Sequence, residues 1–211
     1  MSQPPNYEAM KRLAREKRAE YSVETATLNL IVVRKIYSAE GIRIDPWGFP
    51  RTIRAVYMSD DAGPSVAINK ALPREPKLFS LVHELKHHYA DRDLIEKGQI
   101  ECGDYNENQR TEIGAEVFAA EFIYPEAEFL QKTNELGIEL GKCTPEDVVR
   151  LKRECGACVS YHFLRKRLVR LGFAPANAFD RIQFQKLEEQ VYGVPVYKQE
   201  WFKQRRALRR A

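Results

Sequence analysis

The chain has 211 residues, of which 44% are hydrophobic and 30% are charged, and its formal net charge is +4. This composition can build a sizeable core and excludes a chain that is disordered along its whole length. The longest apolar run, 28–33, is too short to cross a bilayer and no apolar signal segment is present, so we expect a cytoplasmic protein without membrane contact. Four cysteines fit reduced thiols in that compartment: Cys102, Cys143, Cys155 and Cys158.

The first seventy residues predict helices followed by a sheet. A charged helical stretch begins near Tyr7, and an apolar stripe with helical spacing predicts a second helix over about 23–40. Short strands are expected at 42–44, 53–58 and 65–69, because turn-forming segments rich in Asp, Pro and Gly separate them. We expect these strands to form a small antiparallel sheet.

The remainder of the chain predicts helices, and the fold class is therefore α+β, with the sheet early and the helices after it. Helical spacing covers 77–91, 111–124, 145–154, 159–171, 182–192 and 200–210. No internal repeat is visible. The predicted organisation has an N-terminal helical segment, a core, a helix-turn-helix-like segment and a basic C-terminal helical tail, over 1–40, 41–135, 136–178 and 179–211.

The most informative segment is H-E-L-K-H at residues 83–87. Apolar residues at helical spacing surround it, and on a helix residues four apart share one face. His83 and His87 can therefore bind one metal ion, while Glu84, about 100° around the helix, can reach a water on that ion without binding it. Glu112 begins the next apolar helix and could be a third ligand, leaving the fourth position open as in catalytic zinc sites. The alternatives are a structural metal or an accidental string, which the helical context disfavours.

These two segments resemble the ImmA/IrrE family of zinc metallopeptidases. The resemblance rests on residues 81–88 and on residues 112–125, which are similar to the family's E-x-x-A-N-x-F-A-A-x-L-L-x-P helix. It implies zincin-like helices, one zinc ion bound by His83, His87 and Glu112, and Glu84 as the general base. It also implies an endopeptidase that cleaves a transcriptional repressor and so derepresses genes, as in a stress response. Glu116 stands where the family usually has Asn.

A function from another class remains open, namely a DNA-binding or scaffold protein with a structural metal site. The two hypotheses differ at Glu84, because hydrolysis requires a carboxylate beside the metal and a structural site does not. The intact motif favours the enzyme.

Residues at helical spacing from the ligands could support them. Glu116 lies four residues after Glu112 and could accept the free N–H of a ligating histidine. Asp91 lies four residues after His87 and could do the same, although a solvated helix end is the simpler interpretation. His88 follows a ligand directly but points off that face, so we do not expect it to bind the metal.

The sequence pattern predicts the substrate contacts less specifically than the metal ligands. The oxyanion of a tetrahedral intermediate needs a further donor, for which Tyr105, Tyr161 and His162 are candidates. His162 could equally be an ordinary core or surface histidine. An extended substrate could pair with an exposed edge of the sheet, for which strand 65–69 is the candidate, or that strand could have no substrate contact.

Three further features have ordinary alternatives. Cys155 and Cys158 have the C-x-x-C spacing of redox and metal sites, yet simple thiols are the simpler interpretation. Helices over 144–172 resemble a helix-turn-helix with a basic second helix, which could contact DNA or serve only in packing. The tail 198–211 has six basic residues and one acidic residue. It could dock on the core or attract an acidic partner or nucleic acid.

Overall fold

The fold is described from a computed structural model, which covers residues 7–98, 109–195 and 198. These residues form two compact units. The first contains the described residues up to Glu128 together with Ala157–Val159, and the second contains Phe129–Gly156 and the described residues from Ser160 onward. The tail helix predicted over 200–210 lies outside the described residues. Within the described ranges, no helix combines the length and the apolar character needed to cross a membrane.

The elements follow one another in the order that the sequence predicts, helices first and then a sheet and more helices. The elements up to the sheet are α1 (Tyr7–Glu20), α2 (Leu30–Ala39), β1 (Arg43–Trp47), β2 (Ala55–Asp60) and β3 (Gly63–Asn69). Those after it are α3 (Arg74–Lys86), a π-helical turn (His87–Asp91), α4 (Arg92–Glu96), α5 (Gln109–Ile123), α6 (Glu126–Glu135), α7 (Pro145–Glu154), α8 (Tyr161–Arg170) and α9 (Phe184–Tyr192). The α+β class is confirmed.

Helices α2, α4 and α6 differ most from the sequence prediction, and the short α4 has no predicted counterpart. The helix expected over 23–40 begins only at Leu30, because the Asn29 side chain accepts hydrogen bonds from the backbone N–H groups of Ile31 and Val32 and so caps its first turn. Helix α6 was not anticipated, since its ten residues have only a short apolar pattern after Pro125. Polar side chains that satisfy backbone groups, more than apolar periodicity, set these boundaries.

The sheet is small and lies early in the chain, as expected, but it combines parallel and antiparallel pairing and is not purely antiparallel. Its strand order is β1-β3-β2, with β3 antiparallel to β2 and parallel to β1. Every residue from Ser65 to Asn69 is buried, and a strand buried in this way takes the central position. The expectation that 65–69 forms the substrate-binding edge is therefore wrong, because β3 is hydrogen-bonded on both sides.

Helix α5 is held from both sides within the first unit. It packs against α1 and α3, with Phe118 and Phe122 fully buried. The buried guanidinium of Arg18 donates to the Phe122 carbonyl at 2.5 Å and to the Thr25 hydroxyl at 3.1 Å. Each buried aromatic side chain contributes about 1.5–3 kcal/mol, so apolar packing dominates and the hydrogen bonds set the register of α1 on α5.

The second unit contains the helix pair α7 and α8. Thr144 caps α7 in a reciprocal capping box with Asp147, and Ser160 caps α8 by accepting from the Phe163 N–H. The two helices are separated by residues 155–160, which agrees with the helix-turn-helix-like pattern. DNA contact by this pair stays a prediction.

The described cysteines form no disulfide bond with one another. Cys143 and Cys155 are buried, and Cys158 is half-buried. Burial raises the pKa of the Cys143 thiol to about 12, which keeps it protonated and unreactive at neutral pH. Among the described residues, no cluster of potential metal ligands includes a cysteine. Cys102 lies outside the described residues.

Candidate metal centre

Helix α3 and the turn after it present the H-E-L-K-H residues from one buried segment. His83 and Glu84 lie in the last turn of α3, and His87 opens the π-helical turn. The opposite side of α3 is anchored by buried leucines and by the Tyr37 hydroxyl, which donates to the Leu81 carbonyl at 2.7 Å. The prediction that the motif lies on a helix is confirmed.

The side chain of Glu112, which is distant in sequence, meets those of His83 and His87 at this segment. Ligand atoms of His83, His87 and Glu112 all lie within 4.8 Å of one another. The two carboxylate oxygens of Glu112 lie 3.0 Å from His83 Nε2 and 3.6 Å from His87 Nε2. Zinc bonds of about 2.0–2.1 Å in a tetrahedron separate ligands by roughly 3.3 Å, so these distances fit one ion.

Two buried polar atoms at the site have no hydrogen-bond partner, namely His87 Nε2 and Glu84 Oε2. Leaving a buried polar atom unpaired costs about 1–3 kcal/mol, so a folded protein tolerates such atoms mainly where function uses them. Two imidazoles and a carboxylate are groups that commonly bind zinc, and an unpartnered carboxylate oxygen would suit a proton acceptor beside such an ion. The residues present therefore fit a catalytic divalent metal.

Two pKa values at the site are shifted upward, that of Glu84 by burial and that of His83 by its carboxylate neighbours. Burial raises the pKa of Glu84, and the positive charges of His83 and His87 offset this only in part, helped by a hydrogen bond from the Tyr57 backbone N–H. Burial lowers the pKa of His83, but the hydrogen bond to Glu112 and the neighbouring carboxylates outweigh it, so the net shift is upward. A carboxylate with a raised pKa is a stronger proton acceptor.

Asp91 supports the second histidine. Its Oδ2 lies 2.8 Å from His87 Nδ1, so the imidazole donates from Nδ1 and keeps Nε2 for the metal. The interpretation of Asp91 as a solvated helix end is wrong, since this residue is only 8% exposed. Burial would raise the pKa of Asp91, but the hydrogen bond with His87 and the charge of Lys86 hold it below its ordinary value.

The two other residues near the ligands behave differently from each other. The charge of Glu116 contributes to the raised pKa of His83, so its carboxylate is close to that ligand. Its hydrogen bond to a ligating histidine stays a prediction. His88 faces away from the ligand cluster, and its Nδ1 forms a hydrogen bond with the Tyr57 hydroxyl at 3.0 Å.

The oxyanion candidates lie outside the described part of the first unit. Tyr161 and His162 begin α8 in the second unit. The Tyr161 hydroxyl donates to Glu188 at 2.8 Å and its ring stacks on Phe184, while His162 is exposed. Tyr105 lies outside the described residues. The oxyanion role of these three residues stays a prediction.

Comparison with known proteins identifies related sequences and folds. The family described as the IrrE N-terminal-like domain, peptidase M78, matches residues 48–169, which include all four residues of the centre. No curated protein matches the chain. A solved structure, a Mycobacterium tuberculosis transcriptional regulator, is similar with a TM-score of 0.54 and 18% identity over 83% of this chain. The chain spans 49% of that protein's length, and at this identity the likeness concerns the fold.

The three ligands and the base are separable by zinc titration. We expect His83→Ala and Glu112→Ala to weaken zinc binding by more than about 100-fold, because each removes an electron-pair donor from the ion. Glu84→Gln should bind zinc within about threefold of the unchanged chain, since Glu84 donates no ligand atom. Competition with a chromophoric chelator measures all three. Equal zinc loss in Glu84→Gln and His83→Ala would make Glu84 a ligand.

Proposed function

Because the chain belongs to the IrrE N-terminal-like family of peptidases, we propose that it is a zinc-dependent endopeptidase of the HExxH…E type. Family membership supports a metallopeptidase-type function. The observation that carries the finer proposal is the meeting of three ligand atoms within 4.8 Å beside the unpartnered Oε2 of Glu84. A structural zinc site uses four protein ligands, whereas the cluster found among the described residues has three.

The proposed chemistry divides between the ion and the chain. Zinc bound by His83, His87 and Glu112 would lower the pKa of a ligated water to about 7 and polarise the substrate carbonyl. Glu84 accepts the proton of the attacking water on its unpartnered oxygen and passes it to the leaving amine. The Tyr57 N–H holds the Glu84 carboxylate in place, and Asp91 fixes the orientation of His87.

The substrate main chain, we propose, pairs with the outer edge of β2. This strand is hydrogen-bonded to β3 on one side, and its other side passes next to Glu84, to which the Tyr57 N–H donates. An extended peptide added to this edge would be held by main-chain hydrogen bonds with its backbone close to the proton acceptor. β1 is the opposite edge, and it contains Pro46, which lacks the N–H that pairing requires.

The proposed substrate is a transcriptional repressor in the cytoplasm, whose cleavage derepresses genes in a stress response. The support is the resemblance of segments 81–88 and 112–125 to the ImmA/IrrE peptidases. A protein substrate also fits binding at a strand edge, since such an edge recognises extended main chain of many sequences and side-chain pockets select among them.

Cleavage of a repressor encoded beside the gene tests the proposed activity. The zinc-loaded chain should convert the repressor into discrete fragments, and Glu84→Gln should reduce the rate by at least about 100-fold, because a positioned acid–base group commonly contributes that much. Glu75→Gln is the matched control: it makes the same chemical change in the first turn of α3 and should cleave normally. Fragments are identified by mass spectrometry.

Two outcomes of that assay would count against the proposal. If the unchanged chain and Glu84→Gln leave every candidate repressor equally intact while both bind zinc, the metal site is structural. If Glu84→Gln cleaves as fast as the unchanged chain, another group is the proton acceptor.

Photo-crosslinking locates the bound substrate. A benzoyl-phenylalanine at Met58 on β2 should capture the repressor in the Glu84→Gln background, which binds substrate without cleaving it. The same group at Trp47 on β1 is the matched control, since both side chains are exposed apolar residues of edge strands, 42% and 59% exposed. Crosslinks at Trp47 and none at Met58 would place the substrate at the other edge.

A further inference from the structure

Lys86 occupies a variable position of the H-E-x-x-H motif, and its burial is unusual for a lysine. Only 3% of the residue is exposed, although a buried ammonium needs partners that replace water. Its side chain turns away from solvent and into the region between α3 and α5. The positive charge therefore lies next to a candidate site for a cation, where it would oppose the ion unless it is neutralised.

The ammonium of Lys86 has two partners, one on each side of the metal centre. Its Nζ lies 2.5 Å from Asp91 Oδ2, the same oxygen that binds His87 Nδ1. It also donates to the Thr111 carbonyl at 3.1 Å, and Thr111 directly precedes Glu112. Lys86 thus connects Asp91, which supports His87, to the backbone next to Glu112.

The π-helical turn makes the first of these contacts possible. In a regular α-helix, residues five apart point about 140° away from each other, so Lys86 and Asp91 would lie on different faces. The wider turn over His87–Asp91 brings the Asp91 carboxylate round to both His87 and Lys86. π-Helical turns are rare and are often found at functional sites.

A glycine of α5 lies beside the second contact. A Cβ built on Gly114 would lie 3.4 Å from Lys86 Cε and 3.6 Å from Lys86 Nζ, so the end of the lysine lies directly against the α5 backbone. Glu112 sits in the first turn of the same helix, two residues before Gly114. The lysine therefore contacts α5 at the turn that carries the third ligand.

We infer that Lys86 is a positioning residue that fixes His87 and Glu112 relative to each other through Asp91 and the Thr111 carbonyl. The inference rests on the proposed metal-dependent function. A buried ion pair contributes little net stability compared with apolar residues of the same size. Stability alone therefore does not explain why a lysine is buried here. The geometry of the metal ligands does, because loss of the residues that support such ligands commonly reduces metal affinity about 10- to 100-fold.

The test is zinc affinity in the variant Lys86→Met, which keeps most of the length of the stem against Gly114 and removes the ammonium. We expect zinc to bind about 10- to 100-fold more weakly, as measured by chelator competition. The visible spectrum of the cobalt-substituted protein should change as well, since it reports the geometry of the ligands. Lys77→Met is the matched control: Lys77 also lies on α3 and its Nζ also donates to a carbonyl, that of Lys70 at 3.2 Å. It should leave affinity and spectrum unchanged.

A double-mutant cycle with Asp91→Asn separates positioning from general stability. The losses of zinc affinity caused by the two substitutions should be non-additive, because both disrupt the same chain of contacts. If Lys86→Met alone does not fold, the double variant can still be measured, because it leaves no buried charge unpaired. Two results would overturn the positioning role and leave the proposed function intact. One is additive losses of zinc affinity, and the other is zinc binding in Lys86→Met that is at least as tight as in the unchanged chain. An unchanged chain without zinc affinity would overturn both.

Discussion

The contact between α3 and α5 is the constraint on which the candidate site depends. It brings Glu112 against two histidines that lie 25 and 29 residues earlier in the chain, and α5 places the fully buried Phe118 in the same unit. Burying carboxylates and imidazoles together is costly unless each finds a partner. The site meets this cost by pairing nearly all of its polar atoms and leaves unpaired the two that metal chemistry would use, His87 Nε2 and Glu84 Oε2.

The surrounding elements are arranged so that this contact stays fixed. Arg18 of α1 donates to the backbone near the end of α5, and Tyr37 of α2 donates to the backbone of α3. The edge strand β2 donates the Tyr57 N–H to Glu84. Three elements that precede the metal helix in the chain, α1, α2 and β2, thus each contribute one specific contact to it or to its partner helix.

Sequence reasoning predicted the parts of the site that depend on local spacing. His83 and His87 share a face because they are four residues apart, and the apolar pattern around them predicts a helix. The contact between Asp91 and His87 follows from their four-residue spacing, but the spacing alone favoured a solvated helix end for Asp91. The contact between Asp91 and Lys86 depends on the π-helical turn, which no propensity rule anticipates. The sheet order was also beyond local patterns, since β1 pairs with β3 and not with β2, the strand that follows it in the chain. Spacing alone made Glu112 only a possible third ligand, and the resemblance to a family was the stronger argument for that role.

The central claim is that one zinc ion binds between α3 and α5. Anomalous diffraction above and below the zinc absorption edge, on crystals of the zinc-loaded chain, tests it most directly. The account predicts a single strong peak about 2.0–2.2 Å from His83 Nε2, His87 Nε2 and a Glu112 oxygen, with the Glu84 carboxylate outside bonding distance. A peak at the cysteines of the second unit, or one bonded to Glu84, would contradict it.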